Sequence, residues 1–141
     1  MTASHFEVQD YSGLNLKNLT LKGRGSHYAI ICQNRNPVVM SNISIDNFGA
    51  GIGIMSSEFF NSDEQLAIPI YLSNILMKNV KNQDVSAVDG SRLITLLDLF
   101  GDTTQIPQKF ILSNISLINN NTSNSAGSMI IQGKAEIEMY N

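Results

Sequence analysis

The side chains with recognisable chemistry begin with asparagine. Five stand in the Asn-x-Ser/Thr arrangement that accepts an N-linked glycan: Asn18, Asn42, Asn114, Asn120 and Asn121. Asn120 and Asn121 are the candidate glycosylation sites, because they fall in NNNTSNSAG, a turn-forming stretch where a sugar meets no obstacle. Metal chemistry has little to work with. His5 and His27 are two and far apart, and Cys32 stands five residues from His27 in a β-prone run, which puts the pair on opposite faces. No metal site and no cofactor are expected. Cys32 ends the apolar run YAIIC and reads as a small buried hydrophobe, not a nucleophile. The glycines of Gly23–Gly25 and of FGAGIGIM superficially resemble phosphate cradles. No helical periodicity follows either, so no helix end exists to hold an anion.

The elements that position these residues follow from composition and repetition. The chain has 141 residues, one domain's worth, and a formal net charge of −3 with only 15% charged residues, which offers no basic surface for a phosphate backbone. Nucleic acid is not an expected partner. Ile, Leu and Val number 36, while Asn and Ser number 16 each, a β-prone and turn-rich balance. One cysteine makes no intrachain disulfide, and no apolar run approaches the roughly 18 residues of a membrane span.

Four segments share one template: LNLKNLTLK from Leu14, VVMSNISID from Val38, IYLSNILMK from Ile70 and FILSNISLI from Phe110. Each has an apolar run, then Lys or Ser, then Asn, then aliphatic residues two apart. The asparagines are Asn18, Asn42, Asn74 and Asn114, so the period grows by insertion while the motif persists. Period two predicts strands on either side of each Asn. The Asn itself suits a corner, since it tolerates left-handed backbone better than other non-glycine residues. Further apolar stretches at Tyr28–Cys32, Gly51–Met55, Leu93–Leu99 and Met129–Gln132 each follow a turn-forming cluster. Three short strands per repeat, none able to stand alone, predict a coil stacked on its neighbours. The expected fold is all-β: a right-handed parallel β-helix of about four coils, roughly 14–37, 38–69, 70–109 and 110–141, forming one segment over 1–141. Asn18, Asn42, Asn74 and Asn114 form a ladder at one corner, expected to point inward and to satisfy its amides by bonding along the axis. An inward Asn carries no glycan.

The segments LKNLTL, MSNISI, LSNILM and LSNISL, with SLINNNTSNSAGSMII near the end, resemble the right-handed parallel β-helix of the pectin-lyase-like superfamily, over about Leu14–Gln132. The likeness is nearest to the divergent repeats of large surface proteins. It implies the fold more than the function, because that superfamily includes lyases, hydrolases, adhesins and structural rods. Members that cleave polysaccharide carry clustered Asp residues with a His or Arg on the long-strand face. Here Asp98 stands alone on such a strand, with Asp89 and Arg92 before it and Asp102 after it, and too few carboxylates gather for a calcium site. A catalytic site is not expected.

The segments 56–69 and 100–109 are insertions where binding is commonly grafted onto a solenoid; their Glu58, Asp63, Glu64, Phe59, Phe60, Phe100 and Asp102 are also read as cover for the flank of the stack. At the ends, HFEVQDY and AEIEMY both read as strands with no polar cap. The expected partners are therefore other β-helix coils, of the same or neighbouring chains, stacked end to end into a rod or filament, with carbohydrate as a further possibility. The expected role is a noncatalytic structural or adhesive segment of an extracellular or cell-surface assembly. Met1–Gly13 has no cleavable secretory signal, so that placement takes the chain as an internal piece of a longer one. The alternatives are a carbohydrate-binding or polysaccharide-degrading protein, and a cytoplasmic β-helix that docks onto a larger complex.

Overall fold

In the computed structural model the described residues are 6–8, 13–25, 28–34, 37–56, 69–82, 94–98, 108–122, 129–132 and 135–141. Among them twelve strands follow in order: β1 Phe6–Val8, β2 Leu14–Lys22, β3 Tyr28–Asn34, β4 Val38–Asp46, β5 Ala50–Ser56, β6 Ile70–Lys78, β7 Lys81–Asn82, β8 Ile94–Asp98, β9 Gln108–Ile118, β10 Asn121–Thr122, β11 Met129–Gln132 and β12 Ala135–Tyr140. They form two five-stranded sheets, β1-β3-β5-β8-β11 and β12-β9-β6-β4-β2, and a two-stranded sheet, β10-β7. Every pairing among the described residues is parallel. The chain alternates between the two large sheets and returns one layer further each time, which is the winding of a right-handed parallel β-helix solenoid.

The four template segments are β2, β4, β6 and β9, stacked in register: Leu14, Val38, Ile70 and Phe110 form one column, and Leu16, Met40, Leu72 and Leu112 the next. Each Asn interrupts the alternation. Val38 and Met40 are buried before Asn42, and Ile43 and Ile45 are buried after it. Strict period two would have turned Ser44 inward in place of Ile43 and Ile45. The asparagine backbone supplies the phase shift, with φ of 55° at Asn18 and Asn42, 52° at Asn74 and 50° at Asn114. Such left-handed values are costly for most L-residues and least so for Asn and Asp. The two short strands expected on either side of the Asn are accordingly one strand bent at the Asn.

Inside the coil the columns are almost dry. Ile30 and Cys32 of β3 and Ile52 and Ile54 of β5 face Val38, Met40, Ile43, Ile45, Ile70, Leu72, Ile75, Met77, Phe110 and Leu112, all buried in one cluster. At about 25 cal/mol per Å² of apolar surface removed from water, these columns are the main stabilising term for strands that would not persist singly. Pro37 and Pro69 each directly precede a template strand, where the missing N–H interrupts no ladder. At the two ends, β1 lies beside β3 and β12 lies on β9, so both terminal segments read as strands do form them. β12 begins a layer beyond the fourth repeat.

Candidate functional site

The corner asparagines form a continuous hydrogen-bonded row. Asn42 Nδ2 donates to Asn18 Oδ1 at 2.9 Å, Asn74 Nδ2 to Asn42 Oδ1 at 2.9 Å, and Asn114 Nδ2 to Asn74 Oδ1 at 2.7 Å. The row has a direction: every amide donates towards the preceding coil. It also lies on the outside. All four residues are exposed, so the expected inward orientation is corrected. The physical reason is the phase shift itself, which turns the aliphatic neighbours inward on both sides and leaves the Asn at the convex corner. The ladder therefore holds the layers in register at the surface, and it does not rescue buried amides. Burial does not bar a glycan from these positions, although the Nδ2 atoms of Asn42 and Asn114 are already committed to the row.

A second corner, five residues further on, escaped the sequence reading. Asn47, Asn79 and Asn119 have φ of 61°, 54° and 50°. The signal was present as Asn at the fifth position after each of Asn42, Asn74 and Asn114; the first repeat has Gly23 there instead. The backbone ladder runs through this turn, from Gly23 N to Asp46 O at 2.9 Å, Asn47 N to Lys78 O at 3.2 Å and Asn79 N to Ile118 O at 3.3 Å. Asn47 Nδ2 donates to the Gly23 carbonyl at 3.1 Å. Asn79 Nδ2 donates to Asp46 Oδ1 at 2.8 Å, and Lys78 pairs with the same carboxylate at 3.4 Å. The Asn79 amide, with Lys78 and Lys22 nearby, holds the Asp46 carboxyl below the ordinary range.

Asn120 lies at this corner, not in an open loop. Its Oδ1 accepts from the backbone N–H of Val80 at 2.9 Å and its Nδ2 donates to the Met77 carbonyl at 3.0 Å. In the layers below, the residues after the corner Asn are Phe48 and Val80, both buried. Asn120 thus closes the column with a polar side chain folded back onto the preceding coil. Asn121 is exposed and pairs with Lys81 as part of β10. Of the two candidate acceptors, only Asn121 presents itself to solvent without a side-chain bond shown to a described residue.

Cys32 is fully buried among the sheet residues, and burial pushes its thiol up to about 11, the behaviour of a packing residue. Three carboxylates have described surroundings, and each bonds across layers. Asp46 meets Lys78 and Asn79. Glu138 and Glu136 of β12 both meet Lys109 of β9, the second at 3.6 Å, and Tyr140 donates its hydroxyl to Glu138 at 2.7 Å. The Lys109 and Tyr140 contacts lower the Glu138 carboxyl, while Glu138 raises both the Lys109 ammonium and the Tyr140 hydroxyl. Among the described residues no group of three or more His, Cys, Asp and Glu converges as a metal site would. His5, His27, Asp89, Arg92 and Asp102 lie outside the described residues, as do the insertion residues Glu58, Phe59, Phe60, Asp63, Glu64 and Phe100; Asp98 ends β8, and its side chain is likewise outside them. No helix among the described residues is long and apolar enough to cross a membrane.

One end of the stack differs from its interior. Ile137 continues the column of Phe110, and Met139 continues that of Leu112. Phe110 is 0% and Leu112 1% exposed, whereas Ile137 is 41% and Met139 64% exposed. Leu117 and Ile118, on the part of β9 beyond its pairing with β12, and Tyr140 are exposed as well, and Tyr71 is the sole other large hydrophobic exposed among the described residues. No family model, curated protein or solved structure matches the chain. The described residues combine a stack of parallel coils, polar ladders that bind each layer to the next, and exposed apolar side chains on β12.

Proposed function

We propose that the chain is a noncatalytic structural segment of a β-helix, built to continue into further coils of the same or neighbouring chains within an extracellular or cell-surface assembly. The observation that carries this reading is the asparagine row, in which Asn42, Asn74 and Asn114 each donate to the preceding layer, so that the polar side chains of this corner bind coil to coil. The described carboxylates support the same role, since each is committed to an interlayer pair and not to an open groove. An adhesive function of the outer faces and attachment of glycan at Asn121 belong to this reading, and so does kinship with the surface-protein branch of the pectin-lyase-like superfamily, which rests on the motif resemblance together with the solenoid.

The test is product release from a panel of acidic and neutral polysaccharides, with limited proteolysis of the same preparation. The expected result is no new reducing ends, no unsaturated products and a protease-resistant core. Cleavage of any polysaccharide that is abolished by Asp98→Asn would replace the structural reading with an enzymatic one.

A further inference from the structure

We propose that Asn42 is an N-glycan acceptor within the asparagine row, and that the sugar takes the one amide hydrogen the row does not use. The proposal rests on the structural reading above, whose polar row it extends to a covalent modification of the same corner.

Three observations meet at this residue. The first is sequence. Asn42 is followed by Ile43 and Ser44 and has the Asn-x-Ser form, whereas Asn74, one layer further, is followed by Ile75 and Leu76 and does not.

The second is placement. Asn42 stands in the interior of the row, exposed at the convex corner. Its column is bordered by Lys17, Ser41 and Ser73 on one side and by Thr20, Ser44 and Leu76 on the other. In its own layer, therefore, only the short side chains of Ser41 and Ser44 flank it outward.

The third is the direction of its two bonds. Oδ1 accepts from Asn74 in the following layer and Nδ2 donates to Asn18 in the preceding one, both at 2.9 Å. A planar carboxamide serves neighbours on opposite sides by donating the Nδ2 hydrogen that lies anti to its own carbonyl. The other hydrogen, syn to Oδ1, runs parallel to the Cβ–Cγ bond and away from the main chain, and this amide makes no second donor bond to a described residue. A secondary amide takes the trans form of a peptide bond, with the substituent on nitrogen syn to the oxygen and the remaining N–H anti to it. A sugar on Nδ2 thus replaces the outward hydrogen and leaves the ladder hydrogen in place. Commitment of Nδ2 to the row and attachment of a glycan are compatible.

The transfer joins Nδ2 to the anomeric carbon of a glycosyl diphosphate donor and breaks that carbon's bond to the diphosphate oxygen. The diphosphate leaves with the electron pair, the syn hydrogen leaves as a proton, and nothing is oxidised or reduced. The transferring enzyme is the host cell's, and this chain supplies the acceptor.

The test is secretion of the 141-residue chain from a eukaryotic cell line behind a cleavable leader, with peptide mass mapping of the folded product. The peptide containing Asn42 is expected to carry a glycan in wild type and in Thr20→Ala, which withdraws the neighbouring Asn18 as an acceptor. Ser44→Ala is expected to abolish it. Adding Leu76→Ser to Ser44→Ala moves the Asn-x-Ser form one layer along, and the glycan is expected to move to Asn74, whose two row bonds repeat those of Asn42. Far-UV circular dichroism verifies that each variant is folded. The second readout is the row itself: the urea midpoint of wild type relative to Ser44→Ala is expected to be no lower for protein from these cells than for protein made in bacteria without the glycan. Asn42 unmodified in both wild type and Thr20→Ala, or Asn74 unmodified in the folded double variant, or secreted wild type selectively destabilised relative to Ser44→Ala, overturns the proposal. Each of these leaves the structural reading standing, because that reading falls only to polysaccharide cleavage, and cleavage by a chain glycosylated at Asn42 would remove the structural reading alone.

Discussion

Asn74 donates from Nδ2 to Oδ1 of Asn42 at 2.9 Å, although 32 residues separate them in the chain. The same residue holds a left-handed backbone at φ 52° and accepts from Asn114. Two roles are thus combined, a conformational one and a hydrogen-bonding one, and substitution separates them. Asn74→Gly keeps the conformation and removes both amide bonds, for a loss of about 1–2 kcal/mol at this exposed corner. Asn74→Ala also has to carry a side chain into the left-handed region, which adds about 1 kcal/mol. Urea denaturation of the three proteins checks the order: wild type most stable, then Gly, then Ala. Equal stability of the two variants would show that the backbone conformation is not a determinant.

Gly23 takes the place that Asn occupies in the next three repeats, for a steric reason. A Cβ at Gly23 would stand 2.5 Å from the Asn47 carbonyl oxygen and 2.8 Å from the Phe48 ring. Backbone cannot yield as a flexible side chain does. Gly23→Ala is expected to lower stability by about 1–3 kcal/mol, the usual range for overpacking. Gly25, at φ 79°, has its nearest neighbour, Asn47 Oδ1, 3.6 Å from a built Cβ, so Gly25→Ala is limited by backbone strain and not by collision. The two thermal midpoints, with a crystal structure of either variant, separate the mechanisms.

Asp46 makes stability depend on acid. The Asn79 amide and Lys78 hold its carboxyl below the value near 3.9 that an unfolded Asp has. The folded state therefore binds the proton less readily than the unfolded chain. Its stabilisation is fully present above the unfolded value and is lost as pH falls through the lower folded value. Glu138, lowered by Lys109 and Tyr140, acts in the same direction. The urea midpoint should decline below about pH 4. Asp46→Asn should flatten part of that decline, and a variant whose acid profile overlays wild type would remove Asp46 as a contributor.

Cys32 offers a readout of core opening. Its thiol is buried and pushed up to about 11 by desolvation, so little thiolate exists at neutral pH and none of it is accessible in the folded state. A disulfide reagent at pH 8 is expected to label the native protein at least a hundredfold more slowly than the urea-unfolded chain. Labelling at the unfolded rate would mean that the β3–β5 layers open readily. Cys32→Ser puts a hydroxyl among Ile residues and is expected to cost about 1–3 kcal/mol.

Local chemistry explains how much was legible in the residues. The template around Asn18, Asn42, Asn74 and Asn114 announced strands, a corner and stacking, because side-chain period and left-handed tolerance are properties of a few adjacent residues. The second corner at Asn47, Asn79 and Asn119 was equally local and was overlooked because Gly23 breaks its series. The exposure of the ladder was not local. It depends on the phase shift that brings both Met40 and Ile43 inward, which becomes visible only when the opposite sheet is in place. Asn120 behaved likewise: its sequence neighbours describe a turn, while its bonds to Met77 and Val80 depend on a coil some 40 residues earlier.

The amino-acid order by itself determined that the chain is β, that it repeats, and that four asparagines bend it, since those follow from propensities acting within one repeat. Which faces are wet, which asparagine amides are committed, and which apolar residues are left uncovered at the β12 end were decided by the stacking. Burial is a property of the layer above as much as of the residue: Phe110 is covered by Ile137 of β12 and is fully buried.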